Sequence, residues 1–235
     1  MKIHCCDYQS ILKTLKDESI DLICIDPPYE INYKDAEWDK DELDWKFITK
    51  HFNRILKHTG NCIIFQGWSS VVKTINNIEI YSEGNLKLKN WIIWDRIKGR
   101  GASKNLISTR EDILWFNKNP DFYTFNKSYS TIKKKTKGFG RKNGSQYRVL
   151  SNVWTDISPL VPWSKERIKH PTQKPVSLLK RIIRVFSNEK DMVFDCFCGS
   201  GTTGVAAKSL NRDFIISDNN DEYIKITKER IKRGY

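Results

Sequence analysis

No run of apolar residues in this sequence approaches the ~18 that a membrane-spanning helix needs. The opening residues, Met1-Lys2-Ile3-His4-Cys5-Cys6-Asp7, lack the layout of a secretory signal, so a cytoplasmic location is expected. There is no Cys-x-x-Cys pair and no His/Cys cluster at ligand spacing, so no metal is expected. The six cysteines, at 5, 6, 24, 62, 196 and 198, fall partly inside apolar runs and read as reduced, buried thiols rather than a disulfide framework. Acids are in short supply. Asp and Glu number 28 against 41 Lys and Arg, for a formal charge of +13. That balance points to a polyanionic partner, DNA or RNA first and an anionic membrane second.

What is present centres on Asp26-Pro27-Pro28-Tyr29. The run Ile20 to Ile25 before it reads as a buried strand, and two prolines cannot continue a strand. The chain therefore leaves the sheet at Asp26, the kind of place where open α/β sheets bind ligands. Asp26 and the Pro27 carbonyl offer two acceptors and Tyr29 an aromatic face, which suits a planar molecule carrying an NH2 group. The bland alternative is a strand-ending turn with a capping Asp.

Length favours one α/β domain with room for an insertion. Hydrophobic periodicity predicts a strand over 2–6, a helix over 8–17, a helix from Leu43 to His58 closed by Gly60, and a strand from Cys62 to Phe65. A weaker helix is expected over 69–78. Strands are expected at Lys89–Trp94 and Asp112–Phe116, joined by a loop over Gly99–Ser103. Residues 30–42, with Trp38-Asp39, read as a loop able to fold over a site. A helix from Val176 to Phe186, strands at Met192–Phe194 and Phe214–Ile216, and a helix from Asp221 to Ile231 complete the pattern.

A second constellation lies near the end: Asp195-Cys196-Phe197-Cys198-Gly199-Ser200-Gly201-Thr202-Thr203, then a helix, a strand and Asp218. Strand, glycine turn, helix, strand and acid is the order of a nucleotide-binding βαβ unit. Asp218 stands 17 residues past Gly201 and can take two ribose hydroxyls. No Gly-Lys-Ser/Thr follows, which excludes a P-loop. Gly199, Gly201 and Gly204 stand at the G-x-G-x-x-G spacing of the pyrophosphate fingerprint, but glycine spacing alone is weak evidence, and Asp195 puts an acid at the mouth of the loop. An adenosine ligand without phosphates fits better; an ordinary turn with glycines is the plain alternative.

Between the two, Lys127 to Arg148 contains no acid. Lys133, Lys134, Lys135, Arg141 and Arg148 are interleaved with Tyr129, Phe139 and Tyr147. Cations touch phosphates and aromatics stack on bases, while Arg141, Asn143, Gln146 and Arg148 can reach base edges. A solvated lysine loop is the alternative.

Three stretches, Asp26-Pro27-Pro28-Tyr29, His170-Pro171-Thr172-Gln173-Lys174-Pro175 and Phe197 to Thr203, together resemble the amino-methyltransferases of DNA. The order, catalytic motif first and cofactor motif last, is similar to the permuted β group of bacterial and phage adenine-N6 enzymes. Trp38-Asp39 and Asn152-Val153-Trp154 are weaker matches, and Cys196 stands where the family usually has Pro. The resemblance implies an α/β, Rossmann-like S-adenosylmethionine-dependent fold: a mixed seven-stranded sheet with helices on both faces and a small target-recognition insertion. The halves would be 1–117, carrying catalysis, and 161–235, carrying the cofactor, with the insertion over 118–160.

It also implies roles. Asp26, Pro27, Pro28 and Tyr29 would act on the target amine. Phe197, Gly199 and Gly201, with Asp195, Ser200, Thr202 and Thr203, would line the cofactor. Asp218 would take its ribose, Asp7 its adenine amine, and Thr172 and Lys174 its carboxylate end. Double-stranded DNA is the implied substrate, with single strands or RNA left open. So are cytosine-N4 transfer, a non-catalytic nucleic-acid-binding protein, a companion restriction endonuclease and a homodimer.

Overall fold

A computed structural model describes residues 1–29, 42–102, 104–133, 146–168 and 172–234. Ten strands and six helices are formed among them. They run β1 (Lys2–Cys5), α1 (Tyr8–Thr14), β2 (Ile20–Ile25), α2 (Trp45–Ile55), β3 (Leu56–Gln66) and α3 (Val71–Tyr81). Then come β4 (Lys87–Ala102), β5 (Asn105–Asn117), β6 (Tyr129–Lys133), β7 (Tyr147–Val149) and β8 (Val153–Trp154). The chain ends with α4 (Val176–Phe186), β9 (Met192–Asp195), α5 (Thr202–Ser209), β10 (Asp213–Asp218) and α6 (Asp221–Arg233).

The main sheet has the order β1-β10-β9-β2-β3-β5-β4-β8. It is mixed: β1, β10, β9, β2 and β3 pair in parallel, and β5 runs against both its neighbours. Eight strands are present rather than the seven the resemblance implied. The extra one is β8, where Val153 and Trp154 pair with Ile93 and Trp94 at the edge. The buried Trp154 indole, donating to the Ser151 carbonyl, holds it there.

Alternation along the strands splits the core in two. Leu22 and Cys24 face α4, α5 and α6, while Ile23 and Ile25 face α1, α2 and α3. Helices therefore cover both faces, which is why β2 and β3 are apolar on both sides.

Two expectations of extent change. The second helix ends at Ile55, and Gly60 lies inside β3 rather than closing a helix. Leu56 pairs with Ile20, with a register shift before Leu22. A Cβ on Gly60 would stand 2.7 Å from Leu56 Cδ1 and 3.0 Å from the Asp21 carbonyl oxygen, so the glycine serves the crossing of two backbones. Strands β4 and β5 are also longer than periodicity predicts. They run past the end of β3, whose Gln66 pairs with Asp112, and form a projecting hairpin where a loop was expected. Ser103, in that loop, and the 30–41 stretch with Trp38-Asp39 lie outside the described residues.

Candidate active site

Strands β2 and β9 are neighbours, with Leu22 beside Val193 and Ile23 beside Phe194. Here the strand that ends at Asp26 meets the strand that leads into the glycine turn, at the topological switch point where open α/β folds bind ligands. A cavity of about 650 Å³ opens there. Its lining brings together Asp7, Asp26, Pro28, Thr172, Lys174, Asp195, Phe197, Gly199, Ser200, Thr202, Thr203 and Asp218, although they come from the two ends of the sequence. Pro27, Tyr29 and Gly201 stand outside that lining.

On the β9 side the chain turns through two left-handed glycines, Gly199 (φ 47°) and Gly201 (φ 76°). A Cβ on Gly201 would lie 2.5 Å from Thr227 Cγ2, so this glycine lets α6 close against the turn. A Cβ on Gly204 would meet Ile216 and Ile231 at 2.7 Å, which fits a glycine kept for helix–strand packing. Gly199 N–H donates to Asp218 Oδ2 and Asn220 N–H to Oδ1, so the Asp218 carboxylate is already oriented at the end of β10. Burial raises the Asp218 pKa. The same cause pushes Asp195 further, to about 7, although it accepts from the Phe197 N–H at 3.0 Å. Phe197 packs on Tyr8 with ring centroids 5.4 Å apart. Asp7 caps α1, accepting from Ser10 N–H and Oγ–H at 2.9 and 2.7 Å, which lowers its pKa while it stands at the cavity rim. Cys196 and Cys198 are buried, which raises both thiols well above their ordinary value.

On the β2 side, Tyr29 donates to Asp26 Oδ1 at 2.8 Å and Lys174 donates to Oδ2 at 2.5 Å. The Tyr29 ring packs against Gly67, where a Cβ would stand 3.2 Å away. The resemblance set Lys174 at a cofactor's carboxylate end. Its ammonium meets two carboxylates, Asp26 and, 3.6 Å away, Glu111, while the residue also lines the cavity. Burial pulls Lys174 down, but the two acids outweigh it and hold its pKa above the ordinary lysine value.

Sequence reasoning missed several of these parts. Glu111 sits at the start of the apolar half of β5, where one acid before Asp112-Ile113-Leu114-Trp115 was the available signal. Arg230, buried on α6, donates to the Ser200 carbonyl at 2.6 Å and to Ser200 Oγ and Thr202 Oγ1 at 3.1 Å, bracing the glycine turn. Gln173 accepts from Ile168 N–H and donates to the Glu166 carbonyl, fixing the approach to Lys174.

Of the basic stretch, Lys133, Gln146 and Arg148 are exposed on or beside the small β6–β7 sheet. Lys134, Lys135, Arg141 and Asn143 lie outside the described residues, as do His170 and Pro171. The small sheet is tied to the main body by Asp156, which accepts from Arg181 twice at 2.7 Å and from the Thr131 N–H at 2.6 Å.

Residues 20–229 match the N6/N4 methyltransferase family, described as a DNA methylase. Type II methyltransferase M.HpaI of Haemophilus parainfluenzae is 36% identical over 239 residues, covering 98% of this chain and 74% of its own length. DNA adenine methyltransferase YhdJ of Escherichia coli K12 is 36% identical, over 96% of this chain and 80% of its own. The crystal structure of the M1.HpyAVI–SAM complex superposes with a TM-score of 0.68 at 29% identity, over 97% of this chain and 98% of that one.

Proposed function

The chain belongs to the N6/N4 family of DNA methylases, and from that premise we propose that it transfers a methyl group from S-adenosylmethionine to the N6 amine of an adenine flipped out of DNA. The observation that carries this reading is the juxtaposition of Asp26 with the Gly199–Asp218 turn around one cavity, from opposite ends of the chain. The adenine assignment leans on the Asp26-Pro27-Pro28-Tyr29 sequence and on YhdJ, which is named for adenine.

The cavity suits the cofactor. Two left-handed glycines bring backbone close, a part-buried acid with fixed orientation ends β10, and an aromatic ring flanks the loop. S-adenosylmethionine, when bound, supplies an electrophilic methyl group on a sulfonium. Asp218 would take the ribose hydroxyls and Asp7 the adenine amine. Phe197, Gly199, Ser200, Thr202 and Thr203 would line the methionine part with Asp195, and Thr172 would close the far side.

The target base must leave the stack, since its amine cannot otherwise reach the cavity. Asp26 and the Pro27 carbonyl would accept from its NH2, aiming the nitrogen lone pair while positive charge develops there. Tyr29 would offer its ring to the base. No covalent intermediate is needed. The rate comes from alignment and from preorganised negative charge. Exposed Lys133, Gln146 and Arg148, with the rest of the 118–160 region, would contact the duplex. A restriction endonuclease in the same system is the partner we propose, in keeping with the type II methyltransferases to which the chain is similar.

Mass spectrometry of nucleosides from DNA treated with the protein and S-adenosylmethionine tests this. N6-methyladenine is expected. N4-methylcytosine would replace adenine as the target, and no methylated nucleoside at all would overturn the proposal.

A further inference from the structure

Asp26 has both oxygens engaged before any base arrives, one by Tyr29 and one by the Lys174 ammonium. An ammonium at that distance is a poor neighbour for an amine gaining positive charge. It also draws on the carboxylate that should accept from that amine. Some other group must offset it, and Glu111 is placed to do so. Its Oε2 lies 3.6 Å from Lys174 Nζ, and its side chain is only 12% exposed. On the other flank, Arg96 Nη1 stands 3.5 Å from Glu111 Oε1. The Lys174 ammonium also sits over the rings of Phe65 and Tyr29, at 5.3 and 5.8 Å, so aromatic faces and carboxylates enclose it.

The geometry points to Glu111 as a positioning residue for methyl transfer: shared between Arg96 and Lys174, it draws on the ammonium beside Asp26 and leaves more of the Asp26 charge to stabilise the amine. The inference rests on the reading of Asp26 above. Burial raises the Glu111 pKa, and the Lys174 charge opposes that rise, as expected of an acid whose ionised form depends on the lysine beside it. The side chain of Glu111 is not part of the cavity lining, so it acts through Lys174.

The test is single-turnover transfer of tritiated methyl to unmethylated genomic DNA, with S-adenosylmethionine affinity measured by calorimetry on the same preparations. Glu111→Gln keeps shape and removes charge. It should slow transfer about 10- to 100-fold, with cofactor affinity within about twofold of wild type. Glu111→Asp, which keeps the charge, should recover part of the rate. A purely structural role would lower stability and both binding constants together and would not give this split. Asp26→Asn is run alongside. If it transfers at the wild-type rate, the role of Asp26 falls. If it is inactive while Glu111→Gln is at wild-type rate, only the present inference falls. Should Glu111→Gln fail to fold, Lys174→Met and the Lys174→Met/Glu111→Gln pair decide. With the ammonium gone, Glu111 keeps Arg96 but no longer acts on Asp26 through Lys174, so the pair should match Lys174→Met within about threefold. A further tenfold loss in the pair would overturn the assignment.

Discussion

The backbone N–H of Gly199 donates to Asp218 Oδ2 at 2.8 Å, joining the turn after β9 to the end of β10. With Asn220 N–H on Oδ1, the carboxylate is fixed by backbone donors, and its remaining lone pairs are left for a ligand. Order built in beforehand lowers the cost of binding.

Asp218→Ala should therefore weaken S-adenosylmethionine binding by roughly 1–3 kcal/mol, the scale of leaving buried hydrogen-bonding groups unmet. Asp218→Asn, which keeps one acceptor, should lose less. Titration calorimetry reads both. A dissociation constant unchanged in the alanine variant would remove Asp218 from the cofactor site.

Burial pushes Asp195 to about 7, so its ionisation falls near neutral pH. If the ionised acid pairs with the cationic cofactor, binding at low pH must first expel a proton. Affinity should then rise with pH, by up to about tenfold per unit, and flatten above about 7. Without cofactor the sign for stability is opposite. A carboxyl whose folded pKa is raised binds its proton more tightly when folded, so its contribution to stability falls as pH climbs from the ordinary carboxylate range toward 7. Asp195→Asn should flatten both profiles. A pH slope in affinity that survives the substitution would assign the titration to another group.

Asp156 and Arg181 form a nearly buried two-pronged pair, with side chains 5% and 9% exposed, that also holds Thr131 of β6. Burial alone would raise the Asp156 pKa, but the Arg181 and Thr131 hydrogen bonds outweigh it and keep the carboxyl well below the usual range. The stability it contributes is therefore present above its unfolded pKa and lost as pH falls toward the folded one. Asp156→Ala leaves Arg181 buried without its partner and should cost about 3 kcal/mol. The β6–β7 sheet should loosen with it. Urea unfolding and proteolysis within 118–160 would show this, and an unchanged midpoint would mean that the pair adds nothing to stability.

The elements legible in the sequence were those whose pattern and packing agree. Leu178, Leu179, Ile182, Ile183 and Phe186 mark α4, and all are buried as that spacing requires. Ile20 to Ile25 and Met192 to Phe194 read as strands because both faces of the sheet are covered, and the second extends to Asp195. The end of α2 was not legible. Gly60 looks like a helix terminator, and only the pairing of Leu56 with Ile20, a long-range contact, turns the chain into a strand sooner. The cavity-lining acids and glycines announced themselves by local spacing. Their supports did not, because Glu111 meets Lys174 and Arg230 meets Ser200 only through tertiary contact. Lys174 was recognised by its motif, but its partner Asp26 lies 148 residues away.

The last prediction concerns how DNA is held. A cation that touches a phosphate raises affinity for every sequence and steepens the salt dependence by about 0.9 in log–log slope. Sequence choice needs side chains at base edges. Replacing Lys133, Lys134 and Lys135 together with Gln should weaken cognate and random duplexes alike and flatten the salt slope, by up to about 2.7 if each contacts a phosphate. Replacing Gln146 with Ala should instead narrow the gap between cognate and random DNA and leave the slope nearly unchanged. Fluorescence anisotropy across a salt series reads both. If the triple variant keeps wild-type affinity and slope, the contact lies elsewhere, and the β4–β5 hairpin is the next place to test. It projects past the end of β3, on the same edge as Asp26. From Arg96 to Arg110 it carries five cations and no acid, with Leu106 and Ile107 exposed at 89% and 57%. Lys104→Gln with Arg110→Gln would then flatten the slope where the lysine triplet did not.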